Sequence, residues 1–139
     1  MNQPMRVVIA SRTYETSLEN LWDALTNAER LSQWLLPAAG RLRAGGRYRI
    51  AGHARGHILR YEPPRVLGVT WQVAGSVSWV TVTLATNPHG GTTLELEHVT
   101  PAHDHWKQLG AGVGWDCAMA SLARHLADGA PEIRTDAAA

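Results

Sequence analysis

The 139-residue chain is 45% hydrophobic and 18% charged with a formal net charge of +1, a balance that suits a single domain with one buried core. No apolar run nears the roughly 20 residues of a membrane-spanning helix, and the opening MNQPMRVVIASRTYE lacks a signal-peptide pattern, so a cytoplasmic protein with no membrane partner is expected. Cys117 is the single cysteine, which excludes an internal disulfide and any multi-cysteine zinc site.

Residues 6 to 14, RVVIASRTY, are rich in β-branched side chains and read as a first strand. Thr16 or Ser17 then caps a helix, with Glu19 placed to close a capping box on Thr16. Leu18, Leu21, Trp22 and Leu25 follow at helical spacing and make one apolar face. Asn27 caps a second short helix that runs through Trp34 with Leu31 and Trp34 inward, and Pro37 and Gly40 end the helical section.

From Arg41 to His98 short strands alternate with Gly and Pro turns, which predicts a curved antiparallel meander. Leu67, Val69, Trp71 and Val73 share one face; Val80, Val82 and Leu84 alternate with Thr81 and Thr83; Leu94 and Leu96 alternate with Thr93, Glu95 and Glu97. His98 continues the inward phase of Leu94 and Leu96. It reads either as a satisfied core histidine or as a polar group that orients a ligand. The final element, about Ala102 to Asp128, reads as a long helix with Trp106, Leu109, Val113, Ala120, Ala123 and Ala127 on one face and Leu122 and Leu126 beside it. Gly110, Gly112 and Gly114 leave open a later start near Gly114. Cys117, among Trp115, Ala118, Met119 and Ala120, reads as a buried packing thiol. Residues 1–129 are expected to form one domain, with 130–139 as a flexible tail.

Residues 1 to 65 carry ten Arg against five acids, and residues 66 to 139 three basic residues against seven acids. Arg41, Arg43, Arg47 and Arg49 recur at every second position, which favours a solvated strand face over a nucleic-acid site; no nucleic-acid motif accompanies them. His103 with His105 and His53 with His57 form no HExxH pattern and have no evident carboxylate partner, so no metal and no cofactor is expected. No nucleophile elbow is present, and no catalytic residue is singled out.

Four segments resemble one family in the order that family uses them. Leu21-Trp22-Asp23-Ala24-Leu25-Thr26 with Leu31 and Gln33-Trp34 is similar to its opening, and Arg43-Ala44-Gly45-Gly46-Arg47-Tyr48-Arg49 to its R.GG segment. The stretch from Gly56 to Leu67 followed by Trp71 resembles its G.V.E..PP..L...W pattern, and Gly114-Trp115 with Leu122 and Leu126 its closing helix. The chain thus resembles the domain of activator of heat-shock protein 90 ATPase homologue, a branch of the START-like SRPBCC superfamily. The resemblance implies an α+β helix-grip fold of birch-pollen-allergen type, a curved antiparallel sheet around a long C-terminal helix.

The scaffold also implies an internal cavity, but function has to be argued from the site. The leading expectation is binding of a hydrophobic or amphipathic small molecule, with Tyr48, Tyr61, Trp71, His98, Trp106 and Val113 lining the cavity. Polyketide cyclases on this scaffold make a cyclase or dehydratase the alternative, with His98, Tyr48, Tyr61 and Asp116 as its polar groups. The family name adds a chaperone-regulating interaction module, and a homodimer is compatible with the scaffold. An exposed apolar patch at the sheet rim would favour protein interaction.

Overall fold

The chain forms the strands β1 (Met5–Tyr14), β2 (Ala38–Gly40), β3 (Arg47–Ile50), β4 (Ala54–Glu62), β5 (Val66–Val73), β6 (Ser76–Thr86) and β7 (Thr92–Pro101), and apolar and polar residues alternate most clearly in β6 and β7. The computed structural model describes residues 5–40, 42–51, 54–73, 75–101 and 105–128, and for 105–113 and 128 the backbone alone. The expected tail, residues 130–139, therefore lies outside the described residues, as do Arg41, His53 and His103. The seven strands form one curved antiparallel sheet in the order β1-β7-β6-β5-β4-β3-β2. Six consecutive strands make the meander, and β1 closes onto β7, with Met5 opposite Pro101 and Tyr14 opposite Thr92.

Between β1 and β2 run α1 (Leu18–Thr26) and α2 (Ala28–Trp34). Ser17 is the N-cap of α1, its side chain accepting from the Asn20 backbone N–H. Asn20, whose Nδ2 donates to Thr16 Oγ1 at 2.7 Å, stands at the third helical position in place of Glu19. The reason is that Ser17, not Thr16, is the cap. Asn27 caps α2 by accepting from Glu29 N–H. Leu18, Leu21, Trp22 and Leu25 of α1 and Leu31 and Trp34 of α2 are all buried.

After β7, α3 (His105–Asp128) packs over the inner face of the sheet. It runs through Gly110, Gly112 and Gly114 without interruption, so the later start does not occur. Its buried line is Trp115, Met119 and Leu122, with Leu126 partly buried, whereas Ala127 is exposed. Of the alanines expected inward, Ala123 packs against the core and Ala120 is half-buried, while Ala127 turns to solvent. Large side chains at i, i+4 and i+7 remove more apolar surface from water than Ala does, and they set the helix rotation. Hydrogen bonds pin α3, among them one from Arg30 Nε of α2 to His125 Nε2 at 3.2 Å. Tyr14 Oη donates to Met119 O at 3.0 Å, Ser121 Oγ to Trp34 O at 2.5 Å, and Trp115 Nε1 to His98 Nδ1 at 3.0 Å. Cys117 faces outward and is exposed, contrary to expectation, because Trp115 and Met119 on either side point at the sheet.

Candidate functional site

The inner face takes alternate residues from each strand: Tyr48 and Ile50 of β3, Ile58 of β4, Val69 and Trp71 of β5, Ser78, Val80 and Val82 of β6, and Leu94, Leu96, His98 and Thr100 of β7 are buried. The opposite phase carries Arg47, Arg49, Arg55, Glu95 and Glu97 to solvent. Arg47 and Arg49 therefore lie on the solvated strand face that their spacing implied.

Near the β5–β6 end of this inner face an aromatic group gathers under α3. Trp71 is packed at ring-centroid distances of 5.0 Å from Trp115, 6.2 Å from Tyr48 and 6.3 Å from His98. His98 meets Trp115 edge-on at 5.8 Å. Such tilted and edge-to-face contacts match the charge distribution of the rings and each add about 0.5–1.5 kcal/mol beyond buried area.

One tautomer of His98 satisfies every bond in this group. The indole Nε1 of Trp115 can only donate, so His98 Nδ1 must be the acceptor and the ring proton sits on Nε2. Nε2 then donates to Ser78 Oγ at 2.7 Å, and Ser78 Oγ donates onward to Trp71 O at 3.0 Å. Burial holds the imidazole neutral, its pKa lowered to about 4. Protonation would also set an Nδ1–H against the Trp115 N–H. Tyr48 Oη donates to Thr70 O at 2.5 Å, and burial raises its phenol pKa above the ordinary value.

Of the residues read from the sequence as lining one cavity, Tyr48, Trp71 and His98 come together. Tyr61 is placed elsewhere, against Trp22 of α1 at 5.6 Å. The register between β4 and β5 shifts between Ile58 and Arg60, so the inward phase moves from even to odd positions and carries Tyr61 toward α1. Trp106 and Val113 belong to α3, but their side chains lie outside the described residues. Asp116 is exposed. Ser78 and Thr100 of the inner face were missed, as was Trp115 of α3, read only as scaffold. Ser78 continues the phase of Val80 and Val82, and Thr100 that of Leu96 and His98, so the alternation carried the signal.

Among the described residues no group of three His, Cys, Asp or Glu side chains could hold a metal ion, and no helix is long and apolar enough to cross a membrane. At the opposite end of the sheet an open cleft of about 750 Å³ is lined by Glu15, Ser17, Glu19, Arg65 and His89 among others. None of the expected ligand-binding residues borders it.

A seven-stranded antiparallel sheet wrapped on a C-terminal helix defines a helix-grip domain of the START-like SRPBCC type. Residues 15–127 match the family of activator of Hsp90 ATPase homolog 1-like proteins, and the chain belongs to that family. Among solved structures it is similar to CalU16 from Micromonospora echinospora, with 35% identity and a TM-score of 0.81 over 88% of this chain and 74% of that one. MLL2253 from Mesorhizobium loti is similar at 29% identity and a TM-score of 0.82, over 89% and 98% of the two chains. The Aha1 dimer from Colwellia psychrerythraea shares the fold at 16% identity and a TM-score of 0.74, over 84% and 92%. Comparison with curated protein sequences finds no match.

Proposed function

We propose that the chain binds a hydrophobic or amphipathic small molecule between the inner face of the sheet and α3. The observation that carries this reading is the group formed by Tyr48, Trp71 and Trp115 around a neutral, hydrogen-bonded His98. Binding sites of this kind combine apolar and aromatic walls with a few fixed polar groups. Here the walls come from three strands and a helix, and the polar groups are held by backbone and side-chain partners.

Binding is favoured over a cyclase or dehydratase reaction by the state of these polar groups. A general base works best with a pKa near the operating pH and an open lone pair. His98 is lowered to about 4, and its Nδ1 lone pair is occupied by Trp115. Tyr48 donates to a backbone carbonyl, and Tyr61 and Asp116 are not part of the group. With these polar groups bonded inside the protein, the arrangement offers a guest an aromatic wall rather than a group that moves its protons.

Nile red, a neutral dye whose emission shifts on leaving water, tests the reading. The expected result is saturable uptake at one site, weakened about tenfold or more by Trp71→Gln and unchanged by Arg49→Gln or Trp79→Gln on the outer face. Equal uptake by all folded variants, or loss confined to Trp79→Gln, would overturn it.

A second reading rests on the outer face. Met5, Val7 and Ile9 of β1 are 46%, 48% and 60% exposed, and Val77 and Trp79 of β6 are 37% and 39% exposed. The register sets Val7 and Trp79 on either side of Val99, so these side chains form one patch across β1, β7 and β6. The patch ends at the open edge of β1, and a second copy of the chain is the occupant it fits. Antiparallel pairing of two β1 strands about Val8 sets Val7 against Ile9 and Arg6 against Ala10, which joins the two patches and brings no arginine opposite another.

A further inference from the structure

Thr100 stands one step along β7 from the polar chain just described. The Trp79–Val99 pair fixes the register, so Thr100 lies beside Ser78 of β6 on one flank and opposite Arg6 of β1 on the other. It is 3% exposed and continues the inward phase of Leu94, Leu96 and His98. Its Oγ1 is buried and has no hydrogen-bond partner among the described residues. The proton of Ser78 Oγ goes to the Trp71 carbonyl, and one of its lone pairs accepts from His98 Nε2.

Threonine at this place is chemically conspicuous. A buried hydroxyl without a partner costs the fold about the full desolvation of that group, and valine would fill the same shape without that cost. Every other buried polar side chain of the inner face nearby is satisfied: His98 at both nitrogens, Ser78 by His98 and Trp71, and Tyr48 by Thr70. The orphan hydroxyl lies on the inner face in one cross-strand row with Ser78 and Trp71.

Resting on the binding role proposed above, we infer that Thr100 is the specificity-determining anchor of the site, and that the guest is an aromatic or polycyclic molecule bearing a hydroxyl or carbonyl oxygen at its buried end. The Thr100 hydroxyl bonds that oxygen while the flat apolar body lies along Trp71 and Trp115. Either polarity works, because a hydroxyl both donates and accepts. An apolar guest would leave Thr100 unsatisfied and bind more weakly, the way a polar group in a pocket rejects an analogue that lacks its counterpart.

A matched pair of probes separates this anchor from mere apolar uptake: 2-naphthol and naphthalene, titrated into the whole chain and into Thr100→Val and Thr100→Ser. The expected result is that unmodified protein prefers 2-naphthol, that Thr100→Val weakens 2-naphthol about tenfold, and that naphthalene changes less than twofold. Thr100→Ser should keep the preference. Without a probe, the urea midpoint of Thr100→Val should equal or exceed that of unmodified protein, since the hydroxyl has no structural bond to lose. If 2-naphthol binds unmodified protein and Thr100→Val alike, or if Thr100→Val is clearly less stable, the anchor is wrong while the binding role stands. If neither compound binds unmodified protein, the binding role fails and the anchor with it.

Discussion

His98 is held neutral by burial and by the donor that faces its Nδ1. In the unfolded chain an imidazole takes up its proton near pH 6.5, and in the folded protein only near 4. Between those values the unfolded chain binds the extra proton, so the contribution of this group to stability is complete above about pH 6.5 and is lost as pH falls toward 4. Urea unfolding at a series of pH values should show this loss, and the folded variant His98→Gln should show a shallower one. Parallel pH profiles for the two proteins would contradict the assignment. The inward phase of His98 was legible from Leu94 and Leu96. Its tautomer was not, because that depends on Trp115, 17 residues away and on a different element. Cys117 shows the same limit. Its apolar neighbours suggested burial, yet Trp115 and Met119 take the inward positions and turn it to solvent.

The strands were the most legible elements because a period of two separates core from solvent directly. Leu67, Val69 and Trp71, then Val80, Val82 and Leu84, lie inward as their alternation implied. β4 was less legible for a local reason: the register shift between Ile58 and Arg60 moves the inward phase from even to odd positions, and residues on both sides of it are individually ambiguous. On α3 the alanines misled because Ala fits either face, whereas Trp115, Met119 and Leu122 decide the rotation. β4 also depends on Gly56, which the pattern marked as only one of several glycines. A Cβ there would lie 2.0 Å from Thr70 O and 2.6 Å from Thr70 Oγ1, and that hydroxyl accepts from His57 N–H at 2.8 Å. Gly56→Ala must push β5 away and disturb the carbonyl that holds Tyr48. The expected cost is about 1–3 kcal/mol in urea unfolding, with reduced Nile red uptake. A variant as stable as the unmodified chain would show that the strands separate freely here.

At the scale of the molecule, the sheet presents two apolar surfaces with different fates. The inner one is covered by α3, while the outer one, Met5, Val7, Ile9, Val77 and Trp79, is exposed. The β-branched run marked β1 as a strand but did not show that it would end at an edge beside β7, since a pairing over some 90 residues of chain is set by the whole topology. If a second copy covers the outer patch, sedimentation should show a dimer that Ile9→Lys and Trp79→Lys each shift toward monomer by tenfold or more in Kd. Monomers at every concentration would contradict that reading and leave the inner site untouched. The account turns on the inner site, and the indole N–H signals of the tryptophans test it most directly. In a proton–nitrogen correlation spectrum titrated with 2-naphthol, the Trp71 and Trp115 signals should move together and saturate while Trp79 stays in place. Movement confined to Trp79, or no saturable movement of Trp71 and Trp115, would contradict it.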